Sequence, residues 1–201
     1  MFTYFGQQMA IATLVSCIAV VAAVALHLGL MATGRGALGR RVMWWTLTLG
    51  TLVVIGIFTV APIGIRSHTD RALVLVPFAG GEYSNVSKQL IVEKIAYNLA
   101  LFVPLGFCLR FAFSRSVPLC ATVGFAVSLV VETLQYVTAR GTSTVTDLLL
   151  NTLGTILGAA LAVLFLILRQ RLFSKSSSTI SDGQGADAGI RIEDTRTHQN
   201  V

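Results

Sequence analysis

Five separate stretches of this chain are each apolar for about the length that crosses a bilayer. That property constrains its fold more than any other. A spanning helix needs about 20 predominantly apolar residues, because in hydrocarbon each backbone N–H and C=O must find its partner within the segment. The stretches run from about Gln8 to Leu30, Met43 to Ile63, Ile95 to Phe113, Val117 to Val137 and Val145 to Leu168. Trp44 and Trp45 open the second, where aromatic rings suit a membrane interface. Composition agrees. Only 12% of the residues are charged and 54% are hydrophobic, whereas globular chains carry about 25% charged residues.

The expected fold is therefore all-α. Residues 1–175 form a polytopic bundle of about five transmembrane helices, and residues 176–201 form a disordered polar tail, too rich in Ser, Gly and Asp to bury a core. The first apolar run is expected to stay as a span: no Lys or Arg precedes it, and it outruns the about 7–15 residues of a cleavable signal. Cys17, Cys108 and Cys120 lie in or beside apolar runs without metal-ligand spacing, so they read as small buried hydrophobes.

Basic residues beside the spans set the expected orientation. One side receives Arg35, Arg40, Arg41, Arg110, Arg115, Arg169, Arg171 and Lys175. The other receives Arg66, Arg71, Lys88, Lys94 and Arg140, interleaved with Asp70, Glu82, Glu93 and Asp147. This bias predicts a multi-pass protein of the cell membrane with its N-terminus outside and its C-terminus cytoplasmic. The same basic residues suit anionic lipid, and no nucleic-acid partner is read from them. The apolar piece from Ala72 to Phe78 is too short to cross, and is expected as a re-entrant or interfacial part of the second outer loop.

Under this topology several polar residues reach one depth. Glu132 and Gln135, three residues apart, share a face of the fourth helix, with Tyr136 beside them. Asp147 and Asn151, four apart, share a face at the start of the fifth. Asn98 lies in the outer half of the third, and Arg140 in the short loop between the fourth and fifth. The candidate polar pocket is thus Asn98, Glu132, Gln135, Arg140, Asp147 and Asn151.

An ionisable group within a span costs about 2.5–3.5 kcal/mol on insertion scales. Glu132 therefore needs a partner, with Arg140, Asn98 and Asn151 as the candidates. Asp147 follows Ser143, Thr144 and Thr146, a setting in which a carboxylate caps a helix. Gly154, Gly158 and Ala162 continue the Asn151 face as a small-residue stripe for helix packing. Pro104 cannot donate to the Ala100 carbonyl, so a kink is expected, purely structural or opening a polar cavity near Asn98.

These residues also carry a resemblance. The third helix reads Asn98-Leu-Ala-Leu-Phe102-Val-Pro104-Leu-Gly106-Phe107, and the fourth contains Glu132-Thr-Leu-Gln135. Arg140 follows, then Asp147-Leu-Leu-Leu-Asn151-Thr-Leu-Gly154 and Gly158. The ordered set, with Val76-Pro77-Phe78 ahead of it, resembles the VanZ-like family over about residues 76–168. In one respect it departs. Members often carry further acids just before the final Asp, where this chain has Ser143, Thr144 and Thr146, which removes the carboxylate pair a metal site would need.

The resemblance implies a bacterial cell-envelope setting and a link to resistance against the glycopeptide teicoplanin. Its implied partners are membrane lipids and, at the outer face, a lipid-linked cell-wall precursor or the glycopeptide itself. No metal or other cofactor is expected. Four classes of function stay open from the residues: a binding protein of the outer leaflet; an enzyme using Glu132 as general base with Arg140 or Asn98 stabilising an oxyanion; a small transporter or flippase, with Gly154 and Gly158 available for homo-oligomerisation; and a structural protein whose polar groups only order its helices.

Overall fold

The computed structural model describes residues 2–59, 72–78, 87–113, 116–138 and 142–197. In chain order the elements are α1 (Phe2–Ala32), α2 (Gly36–Thr59), β1 (Ala72–Val74), α3 (Lys88–Phe113), α4 (Val117–Thr138), β2 (Thr142–Thr144) and α5 (Val145–Thr197). Among the described residues five helical segments are long and apolar enough to cross a membrane: Met9–Ala32, Gly36–Thr59, Lys88–Phe113, Val117–Thr138 and Val145–Leu172. The protein is a multi-pass helical membrane protein, as its apolar runs require.

Three helices begin before their apolar runs, α1 among them at Phe2. α2 begins at Gly36 and α3 at Lys88, one or two turns before the hydrophobic stretch. Polar turns continue a helix cheaply once an apolar segment has nucleated it. The apolar part of α5 ends at Leu172, and the Ser-, Gly- and Asp-rich tail beyond it has the composition of a segment that buries no core. The chain divides into two compact units, Met1–Ala162 and Val163–Val201, and the second is the distal part of α5.

Local chemistry sets the ends of the helices. α1 stops at Gly34, whose φ of 76° only glycine adopts at low cost. Gly34 N–H donates to the Met31 carbonyl at 3.0 Å and Arg35 N–H to Leu30 at 2.8 Å, the paired bonds of a Schellman motif. α2 then turns back along α1. The Ser87 and Ser116 carbonyls accept the first helical bonds of α3 and α4, and Pro118, within the first turn of α4, sits where its missing N–H costs nothing.

The core lies between α2, α3, α4 and α5 and includes Ile55, Phe102, Leu105, Leu109, Val131 and Ala159. Large apolar side chains such as Leu14, Ile18, Val21 and Leu28 of α1 stay exposed, as befits a surface facing hydrocarbon. Lipid gives apolar helices little reason to associate, so close packing must supply the attraction. It does so between α3 and α5. The space a Cβ would take at Gly154 and Gly158 is filled by the carbonyls of Leu99 and Val103, and that at Gly106 by the Thr155 carbonyl. The expected small-residue stripe is thus used within the chain, against α3, and as packed it is not a surface left for a second copy.

The expected loop segment at Ala72 to Phe78 contains a strand. β1 pairs with β2 in parallel, with Ala72 opposite Thr142, Leu73 opposite Ser143 and Val74 opposite Thr144. This pairing ties the connection after α2 to the start of α5. Part of that connection, residues 60–71, lies outside the described residues, as does the end of the expected second span.

Candidate functional site

One end of the bundle collects the C-termini of α2 and α4, the N-termini of α3 and α5, and the two strands. At its centre is Asp147, in the first turn of α5. Asn98 Nδ2 donates to Asp147 Oδ1 at 2.6 Å, and Lys94 Nζ lies 3.3 Å from Oδ2. Lys94 and Asn98 are four residues apart on α3, so one face of that helix presents a cation and an amide to the same carboxylate. The Lys94 and Asp147 side chains are 29% and 13% exposed, which leaves the group reachable from the mouth of the bundle.

Capping, which the sequence assigns to Asp147, is done by its neighbour. Thr144 Oγ1 accepts from the Asp147 N–H at 3.0 Å, the N-cap geometry of a helix entry. The Asp147 carboxylate instead reaches across to α3.

Glu132 is 6% exposed, and its contacts are closed. Its Oε2 accepts from the Thr144 backbone N–H at 2.9 Å, and the Ser143 hydroxyl also bonds to the carboxylate. The sequence suggests Arg140, Asn98 or Asn151 as its partner; Asn98 turns to Asp147 and Asn151 to Ser128. Arg140 lies outside the described residues. The reason is local. The chain entering α5 carries otherwise unpaired backbone donors into a buried corner, and an acid on α4 satisfies one of them.

Gln135, one turn beyond Glu132, donates through Nε2 to the Thr59 carbonyl at 2.9 Å and so closes the last turn of α2. Tyr136, expected beside it, is exposed. Asn151 is buried one turn below Asp147, and its Nδ2 donates to Ser128 Oγ at 2.9 Å, while its Oδ1 has no hydrogen-bond partner. Thr155, a turn deeper, sits against Gly124. The contacts recur at every turn of α4: Glu132 meets Ser143 and Thr144 of β2, and Ser128 and Gly124 meet Asn151 and Thr155 of α5.

Above these contacts, Phe78 N–H donates to Thr146 Oγ1 at 2.8 Å. Phe78 has φ of 55°, a conformation uncommon for a residue with a side chain, and the residue is 55% exposed. The strand pair and this bond hold Leu73 to Phe78 over the entry to α5.

Of the six residues expected to form the pocket, five are described, and Arg140 lies outside the described residues. Asn98 and Asp147 meet; Glu132, Gln135 and Asn151 each serve a separate contact around them. The groove beside Pro104, of about 390 Å³, lies between α1, α2 and α3 and is lined on α3 by Ala100, Leu101, Pro104 and Cys108. Among the described residues no three His, Cys, Asp or Glu side chains gather to hold a metal ion.

This constellation can be set against known proteins. A family model described as VanZ/LLP1 matches residues 42–167. The chain belongs to the VanZ/LLP1 family. No curated protein and no solved structure matches it. The family match takes in Lys94, Asn98, Glu132, Gln135, Asp147 and Asn151, and begins near the start of α2, well before the Val76 boundary at which the motifs first become legible. Of the helices, only α1 lies wholly before it.

Sequence reasoning missed several residues of this VanZ-like site. Lys94 had been counted only among the charges that set topology, although its spacing of four from Asn98 was a usable sign. Ser128 lies four residues before Glu132, on the same face of α4, and that spacing is the sign that could have found it. Ser143, Thr144 and Thr146 read in the sequence as a helix entry and as missing acids, yet all three make hydrogen bonds that build the site.

Proposed function

We propose that this VanZ-like protein acts in the bacterial cell envelope, where the cluster of Lys94, Asn98 and Asp147 binds the polar head of a lipid-linked cell-wall precursor, or the glycopeptide itself, at the outer membrane face. By this reading it contributes to teicoplanin resistance. The observation that carries the proposal is the Lys94–Asp147 pair, bridged to Asn98 and partly open at one end of the bundle. A cation, an anion and an amide held together can exchange hydrogen bonds with amide and hydroxyl groups of either sign, which is the chemistry of a peptide or sugar head group. Arg140, seven residues before Asp147 in sequence, adds a second cation to the same loop region.

Binding suits this geometry better than catalysis. The natural general base, Glu132, already accepts from Thr144 and Ser143 and is nearly inaccessible, and a base must reach the proton it removes. The same closure favours a structural role for Glu132 itself.

The test is the teicoplanin susceptibility of cells carrying Lys94→Met, Asn98→Ala or Asp147→Asn, with membrane levels of the protein matched. The proposal expects protection to fall for all three while Glu132→Gln retains it at equal protein level. Full protection by all three site variants contradicts it. If the losses track protein abundance alone, the cluster is structural.

A further inference from the structure

We infer that the groove between α1, α2 and α3 is a binding site for one hydrocarbon chain of a membrane lipid. This goes beyond the polar site and does not depend on it. The groove sits midway along three membrane-spanning helices and runs into the surface they turn to the bilayer. Its rim is open, since Val20 on α1 is 50% exposed and Pro104 on α3 is exposed. Its volume of about 390 Å³ falls within the about 300–1,000 Å³ of ligand pockets.

The chemistry of the walls selects the occupant. Ala19, Val54 and Leu101 are apolar, and the two hydroxyl side chains of the lining are already committed within their own helices. Ser16 Oγ donates to the Ala12 carbonyl at 2.8 Å, and Thr51 Oγ1 to the Thr48 carbonyl at 2.7 Å. Pro104 leaves the Ala100 carbonyl without its helical donor, a deficit that carbonyls tolerate better than N–H groups do. Water needs two to four polar partners to settle in a cavity, and the two hydroxyls of this one, their protons already donated, can only accept.

A flexible chain of methylenes fits both the volume and the walls. The site is built in, because Gly50 lets α2 approach Ala19 so closely that a Cβ there would clash with it.

The test uses the full chain in vesicles of phosphatidylcholine doped with phosphatidylcholine that carries a diazirine in its acyl chain. After irradiation, adducts are mapped by mass spectrometry. The inference expects adducts several-fold denser on Val20, Leu101 and Pro104 than on Leu157 and Leu161, which are exposed on α5 and sample bulk lipid. Ala100→Phe, and independently Val20→Phe from the opposite wall, should empty the groove of adducts while leaving those on Leu157, which also reports that each variant is folded. Equal adduct density at all exposed positions overturns the inference. So does groove labelling unchanged in both variants, or cross-links from the groove to a second copy of the chain.

Discussion

Asn98 on α3 donates to the carboxylate of Asp147 on α5 at 2.6 Å, across 49 residues of sequence. The bond joins two helices whose backbones also touch, because Gly154 and Gly158, one and two turns below Asn151, admit the carbonyls of Leu99 and Val103. Close packing brings the helices together, and the polar pair decides their register at the mouth of the bundle.

The Lys94–Asp147 pair should show coupling in a double-mutant cycle. Exposed ion pairs are worth about 0.2–1 kcal/mol, whereas stranding one member of a fully buried pair costs about 3–5 kcal/mol. With Lys94 29% and Asp147 13% exposed, we expect each single loss, Lys94→Met or Asp147→Leu, to fall between those limits. The double variant should be more stable than the sum of the two losses. Thermal unfolding in detergent checks this, and strictly additive losses would show that the two charges do not interact.

Glu132 should behave as a backbone acceptor. Glu132→Leu leaves the Thr144 N–H and the Ser143 hydroxyl buried without their partner, a deficit of about 1–3 kcal/mol. Glu132→Gln keeps an oxygen in place and should cost less. Equal losses for the two variants would mean that the charge, rather than the acceptor, holds the turn.

At the entry to α5, Thr144→Ala should cost about 1 kcal/mol through loss of the cap to Asp147 N–H. Thr144→Ser, which keeps the hydroxyl, should be nearly neutral. Both are read as shifts in melting temperature.

Of this arrangement, the five spans were legible because lipid imposes one pattern, a long apolar run, on any helix that crosses it. Asn98, Asp147 and Asn151 were legible as polar groups in apolar surroundings. What was hidden follows from short range and double meaning. A three-residue strand such as β1 has no alternation long enough to notice, and its partner is 70 residues away. Lys94 near a membrane surface reads equally well as a topology signal or as an ion-pair partner. The stripe at Gly154 and Gly158 announces close packing, but only the position of α3 shows that the partner is internal.

Gly158→Leu should therefore damage the fold itself. The added side chain meets the backbone of α3 at Val103 and Phe107 rather than a yielding side chain, so α3 must move. Overpacking of this kind typically costs about 1–3 kcal/mol and occasionally more. Leu157→Ala, one residue away on the lipid-exposed face, is the control and should be close to neutral in the same unfolding assay.

The account turns on the polar end of the bundle facing outward, and cysteine labelling in intact cells tests this most directly. In a background with Cys17, Cys108 and Cys120 replaced by Ala, Lys88→Cys places a thiol on an exposed residue of the first turn of α3. Arg41→Cys places one on an exposed residue at the opposite end. A membrane-impermeant maleimide should label the position 88 variant in intact cells and the position 41 variant only after permeabilisation. The reverse pattern would put Lys94, Asn98 and Asp147 on the cytoplasmic side and contradict the proposed role.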